Sequence, residues 1–302
     1  MKRNFYITTK LEVKRKGNSL EIGGKKFPIS MVNALFLFPN AKITDGARNL
    51  LLQNGRPIIF MSGTYRAYGI LVPELYPSSV RLRLLQCHYR ENLEVARLIV
   101  LKKIEAIENV TGLKQEVYRE GLKMATDFES VLGIEGAVSA AMFSFYGKQL
   151  QKIGIDIPFK RKYNPPTDEV NSLLSFLYTL YYHHFLPVVV SEGLDPYVAF
   201  LHRKRGRHAT LVSDLMEDAR PFLTFMTIPL LKKIYPKGFE RGFLGREARK
   251  LVLQNFDQFV EEFQPTILKE VKKWLLSRKD WGEEKYKKAE YDGFHHPAKI
   301  FR

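Results

Sequence analysis

Between Ser78 and Val110 the chain reads SSVRLRLLQCHYRENLEVARLIVLKKIEAIENV, and inside this stretch the spacing of the apolar residues changes. Leu93, Ala96, Ile99, Val100 and Ile104 recur every three or four residues, so NLEVARLIVLKKIEAIENV forms an amphipathic helix with these on one side. Just before it, Val80, Leu82, Leu84, Leu85 and Tyr89 fit a linking segment that becomes helical. Upstream the period is two. FYIT, KLEVKR, SLEIGG and FPIS are short alternating runs broken by Gly and Asn, and NALFLFP reads as a buried strand. RPIIFMS and YRAYGILVP read as two more strands. The exception is ITDGARNLLLQNG, a short helix that Thr44 or Asp45 can cap, with Leu50, Leu51 and Leu52 on its apolar side and Asn54-Gly55 at its end.

Downstream the helical period persists through YREGLKMATDFESVLG, IEGAVSAAMFSFYGKQLQKIG, DEVNSLLSFLYTLYYHHFLPVVVSEG, HATLVSDLMEDARPFLTFMTIPLLKKI and REARKLVLQNFDQFVEEF. The expected fold class is α+β. A small β-rich N-terminal domain covers residues 1–82 and a larger all-helical domain covers 83–302, with 83–90 as the linker. No internal repeat is evident.

Forty-eight Lys and Arg against 32 Asp and Glu give the 302 residues a formal net charge of +16. An excess of this size points to a polyanionic partner, nucleic acid ahead of an anionic membrane; the plainer reading is a solubility charge. Hydrophobic residues make up 45% of the chain, enough for a real core. Cys87 is the single cysteine, so no intramolecular disulfide can form and a cytoplasmic location is expected. The opening MKRNFYITTKLEVKRKG is basic but then alternates, unlike the apolar region of a signal peptide. No apolar run reaches the roughly 18–20 residues of a membrane span. Leu173–Val190 comes nearest, but it contains His183, His184 and Pro187 and reads as a buried helix. The tail KDWGEEKYKKAEYDGFHHPAKIFR mixes charge with Trp281, Tyr286, Tyr291 and Phe294, as a nucleic-acid contact or as a solvated terminus.

Several residues stand out chemically. Asp214 and Glu217 are three apart on an expected helix and so share a face. His202 precedes them across the basic loop RKRGR. One imidazole and two carboxylates suit a hard divalent ion, though a core histidine and a solvated acidic pair would have the same spacing. Glu135 sits in a stretch otherwise free of charge from Val131 to Tyr146. An ionised carboxylate there needs a metal, or a Lys or Arg partner. The adjacent pairs His183-His184 and His295-His296 diverge on a helix and do not look like chelates, and His208 reads as a phosphate contact or a helix-start residue. No CxxC, GxxxxGK[ST], HExxH or GxSxG motif occurs, which argues against a structural zinc site, a P-loop, a zincin and an α/β-hydrolase.

Four stretches in order, LGIEGAVSAAMF, NPPTDEVNSLLSFLYTLYY, GLDPYVAFLH and LVSDLMEDARP, resemble the CRISPR-associated adaptation integrases, the Cas-one family. The resemblance covers nearly the whole chain. It implies a divalent ion, Mg²⁺ or Mn²⁺, held by Glu135, His202 and an acidic residue that falls on Glu217, with Asp214 as the near alternative. This chain departs from the family at Ala199, where glycine is usual, in its more basic loop after His202, and at Lys162-Tyr163-Asn164, where arginines are common. The resemblance further implies a DNA endonuclease and integrase that pairs as a homodimer through the β-rich domains and assembles with a small partner, the Cas-two protein. Arg203, Lys204, Arg205, Arg207 and His208 would then position double-stranded DNA without reading its sequence. Two other functions are compatible with the same residues: a catalytically silent nucleic-acid scaffold, and a phosphohydrolase of small nucleotides, which would lack a nucleotide-cradling loop.

Overall fold

Val32–Leu37 is apolar at all but one position and buried on both faces, as expected of an inner parallel strand. The computed structural model places it at the centre of the N-terminal domain; it describes residues 3–63, 66–73, 77–162, 166, 168–203, 206 and 208–278. The elements there are β1 (Arg3–Ile7), β2 (Glu12–Lys16), β3 (Ser19–Ile22), β4 (Lys25–Pro28), β5 (Val32–Leu37), β6 (Lys42–Ile43), α1 (Asp45–Gln53), β7 (Ile58–Met61) and β8 (Ala67–Leu71). One sheet has the order β1-β5-β7-β8, with β1, β5 and β7 parallel and β8 antiparallel at the edge. The other has the order β4-β3-β2-β6. Leu35 and Leu37 face a core shared with Val13, Leu20 and the Leu50–Leu51 side of α1. Thr44 caps that helix by accepting from the Ala47 amide. Ala34 and Phe36 face the opposite way, toward Ile59 and Met61.

That second face docks onto the rest of the molecule. Tyr6 stacks on Phe36 with ring centroids 4.6 Å apart, and Phe36 stacks on His184 at 5.5 Å. The Tyr6 hydroxyl and His184 Nδ1 share a hydrogen bond of 3.0 Å. The second region contains α2 (Pro77–His88), α3 (Leu93–Thr111), α4 (Glu116–Met124), α5 (Phe128–Lys152), α6 (Glu169–Ser191), α7 (Thr210–Leu215), α8 (Ala219–Ile234), β9 (Phe239–Glu240), β10 (Phe243–Leu244), α9 (Arg246–Glu262) and α10 (Thr266–Leu276). The molecule is thus a strand-rich N-terminal region followed by a helical one.

Helix α3 is the axis of the helical region and packs on α4, α5, α8 and α10. Asn92 caps its start by accepting from the Glu94 and Val95 amides, and Gly112 ends it in the left-handed region at φ 71°. By length and composition α5 and α6 could each cross a membrane. Here both are packed into the helical region, α5 against α3, α4 and α8, and α6 against α7 and α8.

Several sequence expectations change in detail. The linking segment is helix α2 from Pro77 onward. Met124 closes α4, and Asp127 then caps α5 through the Ser130 amide, so the expected helix across Tyr118–Gly133 is two. The helix expected from His208 to Ile234 is also two, α7 and α8. Helix α7 ends at Leu215 and α8 begins at Ala219, with Pro221 in its first turn, where the missing N–H is tolerated. The β9–β10 hairpin and α10 were not anticipated. The C-terminal tail from Lys279 onward lies outside the described residues.

Candidate active site

The loop bearing His202 is fixed before any charge is considered. Gln86 of α2 is wholly buried and donates to the carbonyls of Asp195 and Val198, at 2.8 and 2.6 Å, while accepting from the Asp195 amide at 2.8 Å. The start of α7 holds the same loop from the other side, since the Leu211 amide donates to the Pro196 carbonyl. The loop then turns around Asp214. Asp214 Oδ2 accepts from the amides of Phe200 and Leu201, at 2.7 and 2.9 Å. Its Oδ1 accepts from the His202 amide at 3.0 Å and faces the His202 Nδ1 at 2.6 Å. Asp214 is completely buried and all its lone pairs are engaged. These four contacts tie it to the His202 loop; Lys204, Arg205 and Arg207 of the basic loop lie outside the described residues.

With Nδ1 donating to Asp214, the neutral imidazole carries its free lone pair on Nε2. That nitrogen lies 3.9 Å from Glu217 Oε1. This is the arrangement in which an acceptor behind a histidine fixes the tautomer it presents in front. Burial lowers the His202 pKa, but the Asp214 hydrogen bond and the charges of Asp214 and Glu217 outweigh it, and the net direction is upward.

Glu217 lies in the turn between α7 and α8, 1% exposed. Burial raises its pKa, while Arg220, Lys103 and His202 lower it, and the result is about 2. Arg220 Nε is 3.1 Å from Oε1, and Lys103 Nζ is 2.7 Å from Oε2. The lysine lies off the line that a hydrogen bond requires, so Oε2 is a buried oxygen with no aligned donor. Glu135, on α5, pairs with the same Lys103 and accepts from Ser139 Oγ at 3.0 Å. The lysine partner that the sequence left open for Glu135 is thus observed. His202 and Glu135 keep 25% and 18% side-chain exposure, so the cluster opens to solvent on their side.

Beside the carboxylates runs a basic and aromatic ledge. The guanidinium groups of Arg161 and Arg220 lie 5.4 and 5.5 Å from the Tyr178 ring centroid. Exposed Arg203 pairs with Glu129 at 2.7 Å. His208 stacks on Tyr182, with centroids 4.7 Å apart, and bonds Ser213 Oγ at 2.7 Å.

His202 Nε2, Glu217 and Glu135 supply one imidazole nitrogen and two carboxylates, a donor set that fits a hard divalent ion in kind. Glu217 Oε2 has no aligned hydrogen-bond donor, and its nearest cation is the Lys103 ammonium at 2.7 Å. Among the described residues, though, no three such side chains already enclose an ion, because the Lys103 ammonium lies between the two carboxylates.

Residues 5–258 match the family model described as CRISPR associated protein Cas1. The chain belongs to the Cas1 family. A Cas1 endonuclease of Leptospira interrogans is 30% identical over 226 residues, covering 65% of this chain and 86% of its own. One of Fusobacterium nucleatum is 26% identical over 87% of this chain and 86% of its own length. Among solved structures, a Cas1 protein from Thermotoga maritima superposes with a TM-score of 0.71 at 22% identity, covering 92% of this chain and 98% of the other. A casposase bound to its integration product gives 0.68 at 17% identity, covering 94% and 92%. Both share the fold.

Within this Cas1 fold, sequence reasoning brought His202, Glu217 and Glu135 to one place and missed Lys103, Arg220, Arg161 and Tyr178. Lys103 had a signal. It falls on the same side of α3 as Ile99 and Ile107, where an apolar residue belongs.

Proposed function

We propose that this Cas1 chain is a divalent-metal-dependent DNA endonuclease and integrase that joins short DNA fragments into a CRISPR array by phosphodiester hydrolysis or transesterification. The observation that carries the proposal is the convergence of His202 Nε2 and the Glu217 carboxylate, with Asp214 holding the ring from behind. Glu135, His202 and Glu217 would hold Mg²⁺ or Mn²⁺. Such an ion supplies Lewis-acid polarisation of a phosphoryl oxygen and lowers the pKa of bound water. The protein's own contribution is placement. Arg220 and Arg161, backed by the Tyr178 ring, offer guanidinium groups to phosphate oxygens next to the carboxylates. Arg203 and His208, with Lys204, Arg205 and Arg207, would hold the strand's backbone as it approaches. Asp214 keeps the His202 proton on Nδ1, away from the reacting phosphate.

Double-stranded DNA, a second copy of the chain and the Cas-two protein are the expected partners, in the cytoplasm. A solved neighbour, a partial Cas6-RT-Cas1–Cas2 complex, is consistent with the last of these. Lys103 between the carboxylates favours the rival reading, a silent scaffold that binds DNA without metal chemistry. The deciding experiment is joining of a short duplex into supercoiled plasmid with Mn²⁺ or with excess EDTA. Joined product only with metal supports the enzyme; binding with no product under any condition supports the scaffold.

A further inference from the structure

Lys103 is the least expected residue of the site. It belongs to α3, whose neighbours Ile99, Val100, Ile104 and Ile107 are wholly or almost wholly buried. Its side chain is 4% exposed and ends between Glu135 and Glu217. A lysine stem crossing a core is costly unless the ammonium is paired, and here it is paired twice. The pairing works in the other direction too. Without Lys103, Glu217 and Glu135 would face each other with half-buried Arg220 as the remaining cation.

The charge count at this point is informative. Three carboxylates, Glu135, Glu217 and Asp214, meet two cations, Lys103 and Arg220. With His202 neutral the cluster thus carries one net negative charge. A divalent ion added to it would turn this into an excess positive charge in a largely buried place, unless a resident cation moved away. Access has a direction as well. Lys103 reaches the carboxylates from the core side, whereas His202 and Glu135 border solvent.

Resting on the metal reading above, we propose that Lys103 is a resident counter-ion. Its ammonium occupies the cation position between Glu135 and Glu217 in the metal-free protein and competes with a divalent ion for it. The protein can then fold and persist without metal, and loading is weak until an ion displaces the ammonium. Lys103 is in this sense a positioning residue that sets metal affinity, distinct from the ligands.

The test is Mn²⁺ binding by electron paramagnetic resonance, with thermal melts in EDTA and in Mn²⁺, on the full chain. The binding counted is the portion lost in Glu217→Gln. Lys103→Gln should bind Mn²⁺ at least tenfold more tightly than wild type. It should melt lower than wild type in EDTA and regain most of that difference in Mn²⁺. Lys103→Arg keeps the charge on a bulkier group and should bind Mn²⁺ no more tightly than wild type. A folded Lys103→Gln with wild-type affinity, or with the same melting deficit in both conditions, overturns the proposal. If Lys103→Gln does not fold even in Mn²⁺, Lys103→Arg decides: tighter binding than wild type overturns the idea, weaker binding supports it. Absence of site-specific Mn²⁺ binding in wild type and both variants would instead remove the metal reading on which the proposal rests.

Discussion

Asp214 grips His202 twice through one oxygen: Oδ1 accepts from the backbone amide at 3.0 Å and meets the ring Nδ1 at 2.6 Å. Backbone position and ring tautomer are thus set by one buried atom. Asp214→Asn replaces an acceptor with an amide that cannot serve four donors. It should cost about 1–3 kcal/mol of stability through unpaired buried donors. It should also lower metal affinity or activity by about 10–100-fold, partly restored by excess Mn²⁺. Glu217→Gln should abolish metal-dependent activity at every metal concentration. Metal titrations of both variants on one branched DNA substrate, with melts alongside, check the pair. A rescued Glu217→Gln beside a dead Asp214→Asn would mean the ligand and its support have been exchanged.

Binding and chemistry should separate. Glu135→Ala and His202→Ala should eliminate cleavage and joining while leaving DNA affinity near wild type, since affinity comes from Lys and Arg. That affinity should fall with salt at a log–log slope of about −0.9 per neutralised phosphate. Filter binding across a salt series is the measurement, and a flat response would exclude a phosphate-dominated interface.

Activity should fail in acid. His202 must be neutral to ligate, and its pKa is raised by Asp214 and Glu217 despite burial. Protons therefore compete with metal from above the usual histidine value, about 6.5, downward. Raising the metal concentration should move the acid limb of the rate profile to lower pH. A limb that stays fixed over a hundredfold range of Mn²⁺ would show that His202 binds no ion.

Stability has its own acid limb, through a different histidine. Burial holds the His184 pKa at about 4, against 6.5 in the unfolded chain. The unfolded state binds the extra proton first, so stability is lost as pH falls from about 6.5 to about 4 and levels off below. The span corresponds to about 3 kcal/mol for this one group. Urea melts from pH 7 to pH 4 should show the decline, and His184→Gln should reduce it, leaving the part due to His183, whose pKa burial also lowers to about 4.

Self-association should run through the N-terminal region. Of the three aromatic residues that suggested it, Phe5 packs on Phe27 and Tyr6 is engaged with His184, but Tyr68 on edge strand β8 is 73% exposed. Light scattering at micromolar concentration should give twice 35.1 kDa. Tyr68→Glu should shift the population toward monomer, and a wild-type monomer would refute the pairing.

Much of this was legible in the residues. The change of period after Ser78 separated strands from helices, and Glu135 in an uncharged stretch marked a carboxylate that needed company. What could not be read was which side of the α7–α8 region each acid would face. Spacing put Asp214 and Glu217 on one helix, but the helix breaks after Leu215, and the two carboxylates end on opposite nitrogens of His202. Lys103 was passed over for a related reason. A lysine among isoleucines looks like a helix-flank residue until the carboxylates it meets, 32 and 114 positions later, are placed in space.

Gln86 has a consequence for the order of assembly. Its partners Asp195 and Val198 lie 109 and 112 residues further along. Closing so long a stretch is entropically expensive and slow compared with forming the local helices. A ribosome-bound chain can therefore complete its strand-rich domain and α3 while the His202 loop has yet to be made. The cluster of Glu135, His202 and Glu217 with its cations cannot form until synthesis has passed Arg220, so a nascent or prematurely ended chain would lack it.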